Sequence, residues 1–142
     1  MKYDDASWHS GGNFPATSPP EYGGTHIGLF LKWCFLKGWA GELHTDTDRS
    51  DVGRVQRNEM TGTAFLFKNC DGKFTDEDLT TEGSAFVAAY YPDKYLGDYA
   101  EQFGDLLYVA GEGDHDFTKL AVLLDRRLSE HTKKGKKPWW RP

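Results

Sequence analysis

Cysteine is nearly missing from this chain: Cys34 and Cys70 are the only two in 142 residues. Two thiols are too few for the disulfide framework of a small secreted domain, and Cys34, set among apolar neighbours, reads as a buried thiol. Long apolar runs are scarce as well. The longest, residues 27–39, is interrupted by Lys32 and Lys37 and falls short of the roughly 20 residues that span a bilayer. The start, Met1-Lys2-Tyr3-Asp4-Asp5, lacks a basic stretch followed by an apolar one, so the expected location is a reducing cytoplasm. Neither a nucleophile elbow, a Gly-rich phosphate loop, a paired-His zinc motif nor an internal repeat is present, so no reaction class is identified.

Acidic residues are absent from the last eleven positions, which carry Lys133, Lys134, Lys136, Lys137 and Arg141. Residues 1–131 hold 12 Lys+Arg against 22 Asp+Glu, a formal −10 that the whole-chain value of −5 conceals. Such a body repels phosphate backbones and anionic membranes and attracts basic protein surfaces. The chain is expected to be a single acidic globular domain over residues 1–131, followed by a basic, Trp-containing tail over 132–142. With 5 Trp, 7 Tyr and 9 Phe it has the apolar material for a core and does not resemble a disordered chain.

Gly and Pro breakers in residues 1–24 predict an extended arm, with Trp8, Phe14 and Tyr22 pinning it to the body. Thr25 is expected to cap a helix through Lys37, apolar on nearly every face and stopped by Gly38, which makes it the core element. Residues 41–53 read as a polar loop. Residues 61–71 read as a helix capped by Thr61 and ended by Gly72, although the short run Ala64–Phe67 also fits a strand. Thr75, with Asp76, Glu77 and Asp78, reads as the start of a helix reaching Tyr91, and Pro92 breaks it. Tyr95, Leu96, Tyr99 and Phe103 predict another helix ending at Gly104. Residues 106–109 are the best strand candidate. The clearest amphipathic helix begins at Asp116 and places Phe117, Leu120, Ala121, Leu124 and Leu128 on one face. After His131 the chain is expected to be mobile, because Gly135 and Pro138 oppose a helix. The fold class is therefore mainly α, a single domain of about five helices with an extended arm, or alternatively α+β with a small sheet.

Four patterns invite a site. Residues 67–78 have the length and sixth-position Gly of a calcium loop, but Phe67 stands where the first Asp ligand belongs and Asp78 where Glu belongs. Residues 111–116 gather three acids and His115, yet consecutive residues rarely converge on one ion, and a solvated loop in which Asp116 caps the next helix is preferred. His9, His26 and His44 could line a pocket under the arm, giving a small enzyme. The tail interleaves cations with Trp139 and Trp140, the composition of a nucleic-acid adaptor. Neither cofactor nor metal is expected.

The segments Trp8-His9-Ser10, Thr25-His26-Ile27-Gly28, Gly41-Glu42-Leu43-His44, Asn69-Cys70-Asp71-Gly72-Lys73-Phe74 and Leu123-Leu124-Asp125-Arg126-Arg127 together resemble a family of small acidic bacterial proteins of unknown function. The resemblance covers roughly residues 1–130. It implies a cytoplasmic bacterial protein and brings no catalytic residues, while the style of the family points to some members being polymorphic-toxin immunity proteins. The expected function is accordingly an immunity protein that neutralises a cognate toxin domain by covering its basic active-site surface, without contacting membrane or nucleic acid. The expected partner-binding residues are Asp46, Asp48, Asp51, Glu112, Asp114 and Asp116, since charge matching steers association and confers specificity.

Overall fold

A computed structural model describes residues 1–12, 14–47 and 49–135. Asp48 of the expected interface and residues 136–142 of the tail lie outside the described residues.

The architecture is mainly α with one small sheet. Helix α1 spans Thr25–Leu36 and forms the centre of the core, with Ile27, Phe30, Leu31, Cys34 and Phe35 all fully buried. Gly38 follows at φ +78°, a left-handed conformation that ends the helix as expected. The expected Thr25 cap is corrected: Gly24 is the N-cap, Thr25 is already helical, and its hydroxyl is buried without a hydrogen-bond partner.

The polar stretch expected to be a loop is helical, as α2 (Glu42–Thr47) and α3 (Arg49–Gln56). Val52 and Val55 supply the apolar contacts that anchor α3 to the core, and this tertiary packing outweighs the local polarity. Helix α4 covers Gly62–Asn69, and the Thr61 hydroxyl accepts from Ala64 N at 2.9 Å, as its cap position predicted. Helices α1 and α4 cross in close contact: a Cβ on Gly62 would lie 1.9 Å from the Gly28 carbonyl oxygen. Only glycine allows the two backbones to approach so closely.

Lys2–Asp5 form β1, antiparallel to β2 (Lys73–Thr75). Lys2 pairs with Thr75 and Asp4 with Phe74, so two residues on β1 oppose one on β2. This irregularity breaks the usual alternation, and Tyr3, Asp4 and Asp5 are buried in succession. The arm is thus not simply extended. Trp8 is not a buried pin either: it is 59 % exposed, with the Lys2 ammonium 5.2 Å above its ring. Phe14 does reach the body, with its ring 5.5 Å from that of Tyr108.

After β2, Thr75 caps only a 3-10 turn, Asp76–Asp78. Helix α5 (Thr81–Tyr90) starts anew behind a Thr80 cap. Pro92 sits in a π-type turn over Tyr91–Tyr95, which leads into α6 (Leu96–Phe103) with Gly104 as its cap. The expected strand at 106–109 is absent. A 3-10 turn occupies Gly104–Leu106, and Tyr108 takes φ +62°, a conformation incompatible with a strand. Helix α7 runs from Phe117 to Gly135, past the boundary expected at His131. Leu120 and Leu124 bury its apolar face, and Arg127 holds the Asp98 carboxylate through two nitrogens at 3.0 and 3.1 Å. No helix among the described residues is long and apolar enough to cross a membrane.

Candidate functional site

Three constellations of chemically capable side chains arise from this packing. The first is centred on Asp4, turned inward by the bulge in β1. Its Oδ1 accepts from Asp5 N at 2.8 Å and lies 2.7 Å from His9 Nε2. Its Oδ2 lies 3.0 Å from His26 Nε2 and accepts from the Tyr91 hydroxyl at 2.6 Å. Burial alone would push this carboxyl up. The bonds from His26 and His9, reinforced by Tyr91, outweigh that and hold it well below the usual carboxylate range. Burial pushes His26 down against the opposing pull of Asp4, so the ring is held neutral in its Nε2–H form, and its Nδ1 has no hydrogen-bond partner. His9 Nδ1 contacts the Tyr108 hydroxyl at 2.6 Å. Burial, then the charge of Asp4, raises Tyr108. The strand, the arm, α1, the π-type turn and the left-handed Tyr108 thus converge on one buried carboxylate.

The second constellation lies across the core. Cys70 caps α4, and Asp71 (φ +55°) and Gly72 (φ +75°) turn the chain into β2. Asp78 ends the 3-10 turn that follows β2, where its Oδ2 accepts from Thr75 N at 2.8 Å. Helix α2 brings up His44, because Gly41 N donates to Asp78 O at 2.9 Å and fixes the start of that helix beside the turn. His44 Nε2 lies 2.8 Å from Asp78 Oδ1, and Cys70 Sγ is 3.8 Å and 3.6 Å from those two atoms. The Phe65 ring packs edge-on against His44. Beside the cluster lies a groove of about 440 Å³, lined by Leu43, Phe67, Lys68, Cys70, Lys73 and Asp78 among others.

The third is the outward face of α4, which exposes Ala64, Phe67 and Lys68. Phe67 is 40 % exposed and Leu43, across the groove, 52 %. A second groove of about 580 Å³ runs along the other side of Phe67, walled by Tyr22, Thr63 and Ala64.

The structure uses the expected partner-binding acids in different ways. Asp46 and Asp114 are exposed. Asp51 is buried at the C-terminal end of α4, where Lys68 at 2.9 Å and Asn69 at 3.2 Å hold its carboxyl low. Glu112 serves the opposite end of the same helix. Its carboxylate accepts from Gly62 N at 3.0 Å, Thr63 N at 2.9 Å and the Thr63 hydroxyl at 2.8 Å, filling the orphan donors of the first turn. Asp116 accepts from Lys119 N at 3.3 Å and caps α7, as expected.

The twelve residues 67–78 do not wrap a calcium loop, because they begin in a helix and end in a 3-10 turn, and Asp78 faces His44. The 111–116 loop does not converge either. His115 turns inward to the Tyr99 hydroxyl at 2.6 Å and the Gly111 carbonyl at 2.8 Å, away from its acidic neighbours. Of the three candidate histidines, His9 and His26 meet, with ring centroids 4.3 Å apart, and His44 belongs to the other cluster. Asp4, Tyr91, Tyr108, Cys70 and Asp78 escape sequence reading as members of these sites, since their partners lie up to 99 residues away. The available signal was two adjacent acids, Asp4 and Asp5, beside an aromatic residue in a segment able to form a strand.

Neither the curated proteins nor the solved structures provide a match to this chain. A family model described as Domain of unknown function (DUF7832) matches residues 2–110, from β1 to the end of the segment that carries Tyr108, and the chain belongs to that family.

Proposed function

We propose that this chain is a cytoplasmic immunity protein that binds a cognate bacterial toxin domain and covers its basic active-site surface. The observation that carries the reading is the position of Phe67, exposed on α4 with acidic segments at both ends of the helix. Leu43 and Tyr22 flank it. The loop anchored by Glu112 brings exposed Asp114 to one end, and at the other exposed Asp71 and Glu77 line the groove together with Lys68 and Lys73, which pair with Asp51 and Asp71. An apolar anchor within a charged rim is the anatomy of a specific protein interface. The rim's exposed acids Glu77 and Asp114 suit a basic cleft that handles nucleic acid or nucleotides. Lys2 pairs with Asp5, Lys37 with Asp125 and Arg127 with Asp98, each pair cancelling one acid, while Asp46, Glu77 and Asp114 put negative charge at the surface. Asp51, Glu112 and Asp71 have partners inside the protein, and the proposal assigns the steering charge to Asp46, Asp114 and Asp116 with Glu77.

The test is capture of the tagged chain from its native host, followed by expression of the captured protein with and without this chain. Growth arrest by the captured protein alone, relieved by the wild-type chain and not by a folded Phe67→Asp variant, supports the reading. A captured protein that does not arrest growth, or whose arrest this chain leaves unrelieved, overturns it. The reading of an enzyme acting through the arm histidines has less support, because His9 and His26 are both committed to Asp4.

A further inference from the structure

We propose that His44, Cys70 and Asp78 form a binding site for a zinc-type divalent ion, with its remaining coordination position open to the adjoining groove. The donor set comprises an imidazole nitrogen, a thiol sulfur and a carboxylate oxygen, the three side-chain types that zinc prefers. The three atoms are mutually within 4.8 Å. Zinc–ligand bonds of about 2.0–2.3 Å in a tetrahedron place neighbouring ligand atoms roughly 3.3–3.6 Å apart. The separations from sulfur, 3.6 Å to Asp78 Oδ1 and 3.8 Å to His44 Nε2, already lie at or near that spacing. The His44–Asp78 pair, at 2.8 Å, has to open by about half an ångström as its shared proton gives way to the ion.

Carboxylate and thiol both approach Nε2 of His44, a convergence that suits a common cation. Loading the ion releases the thiol proton, and the imidazole takes its Nδ1–H form.

The surroundings are those of a built site. Thr75 N fixes Asp78 through Oδ2, so that Oδ1 points at the centre, and Phe65 packs on the imidazole. Such outer contacts orient metal ligands. Cys70 and Asp78 both line the groove of about 440 Å³, which also carries Lys68 and Lys73, so the open position faces a space able to hold water or a small anion. The Asp4–His9–His26 cluster has a comparable donor set, but each oxygen of Asp4 is also held by a donor outside the cluster, Oδ1 by Asp5 N and Oδ2 by the Tyr91 hydroxyl. Cys34 is deep in the core, where burial pushes its thiol well up.

The full-length chain, stripped with a chelator, should take up one equivalent of cobalt(II) with a thiolate-to-cobalt charge-transfer band, and zinc should displace it. Cys70→Ser should remove the band and weaken cobalt binding at least about 100-fold, more than loss of an outer contact does, whereas Cys34→Ser should leave the band in place. In the wild-type chain zinc should also slow alkylation of Cys70, and a chelator should restore it, a readout independent of how any variant folds. No stoichiometric cobalt spectrum, a band that persists in a folded Cys70→Ser variant, or alkylation indifferent to zinc would each overturn the site.

Discussion

Asp4 and His26 form a buried pair, His26 Nε2 lying 3.0 Å from Asp4 Oδ2, in which the carboxylate carries the charge and the ring stays neutral. Both groups titrate below their ordinary values, about 3.9 for Asp and 6.5 for His. As pH falls through those values the unfolded chain takes up protons that the native pair refuses, so the native state loses stability. The contribution of His26 is complete above about pH 6.5 and declines below it, and that of Asp4 declines only below about pH 4. Thermal unfolding from pH 7.5 to pH 5 should show a falling Tm, with a shallower fall in His26→Asn. A flat or rising profile would contradict the neutral buried ring.

Tyr91 and Tyr108 both reach the Asp4 cluster but should differ in weight. The Tyr91 hydroxyl donates directly to the buried anion, and Tyr91→Phe should cost about 2 kcal/mol. Tyr108 meets His9, which is only partly buried, so Tyr108→Phe should cost about 0.5–1 kcal/mol. Urea titration of the two variants provides the comparison.

Glu112 joins the loop before α7 to the first turn of α4 through three hydrogen bonds. Glu112→Ala should destabilise by roughly 1–2 kcal/mol, the range for a lost helix cap, while Asp114→Asn should leave the Tm within about a degree. The pair separates an acid that works for the fold from one free to work for a partner.

At the α1–α4 crossing, Gly28→Ala would place a methyl 2.3 Å from Thr63 N, and Gly62→Ala one 1.9 Å from Gly28 O. Backbone cannot yield as a side-chain end does, so each should cost about 3 kcal/mol or more. A methyl on Gly97 of α6 would meet no atom within 4 Å, and Gly97→Ala should stabilise by about 0.5–1 kcal/mol. Chemical denaturation of the three variants should show these opposite signs.

What local sequence determined is what local physics governs. Apolar residues on all faces announced α1 as the core helix, Thr61 and Gly72 bracketed α4, Asp116 capped α7, and Gly38 closed α1, because caps and left-handed stops act within one turn. The acidic excess was equally plain, since charge needs only counting. Tertiary structure alone decided the rest. Residues 49–56 are helical because Val52 and Val55 find a core, and 106–109 is no strand because β1 takes β2 as its partner and leaves Tyr108 to turn toward His9. Nothing near Asp4 in sequence indicates that Tyr91 will reach it, nor anything near Cys70 that His44 will. Sites assembled from distant residues depend on loop closure and packing throughout the chain, and local propensity carries no record of either.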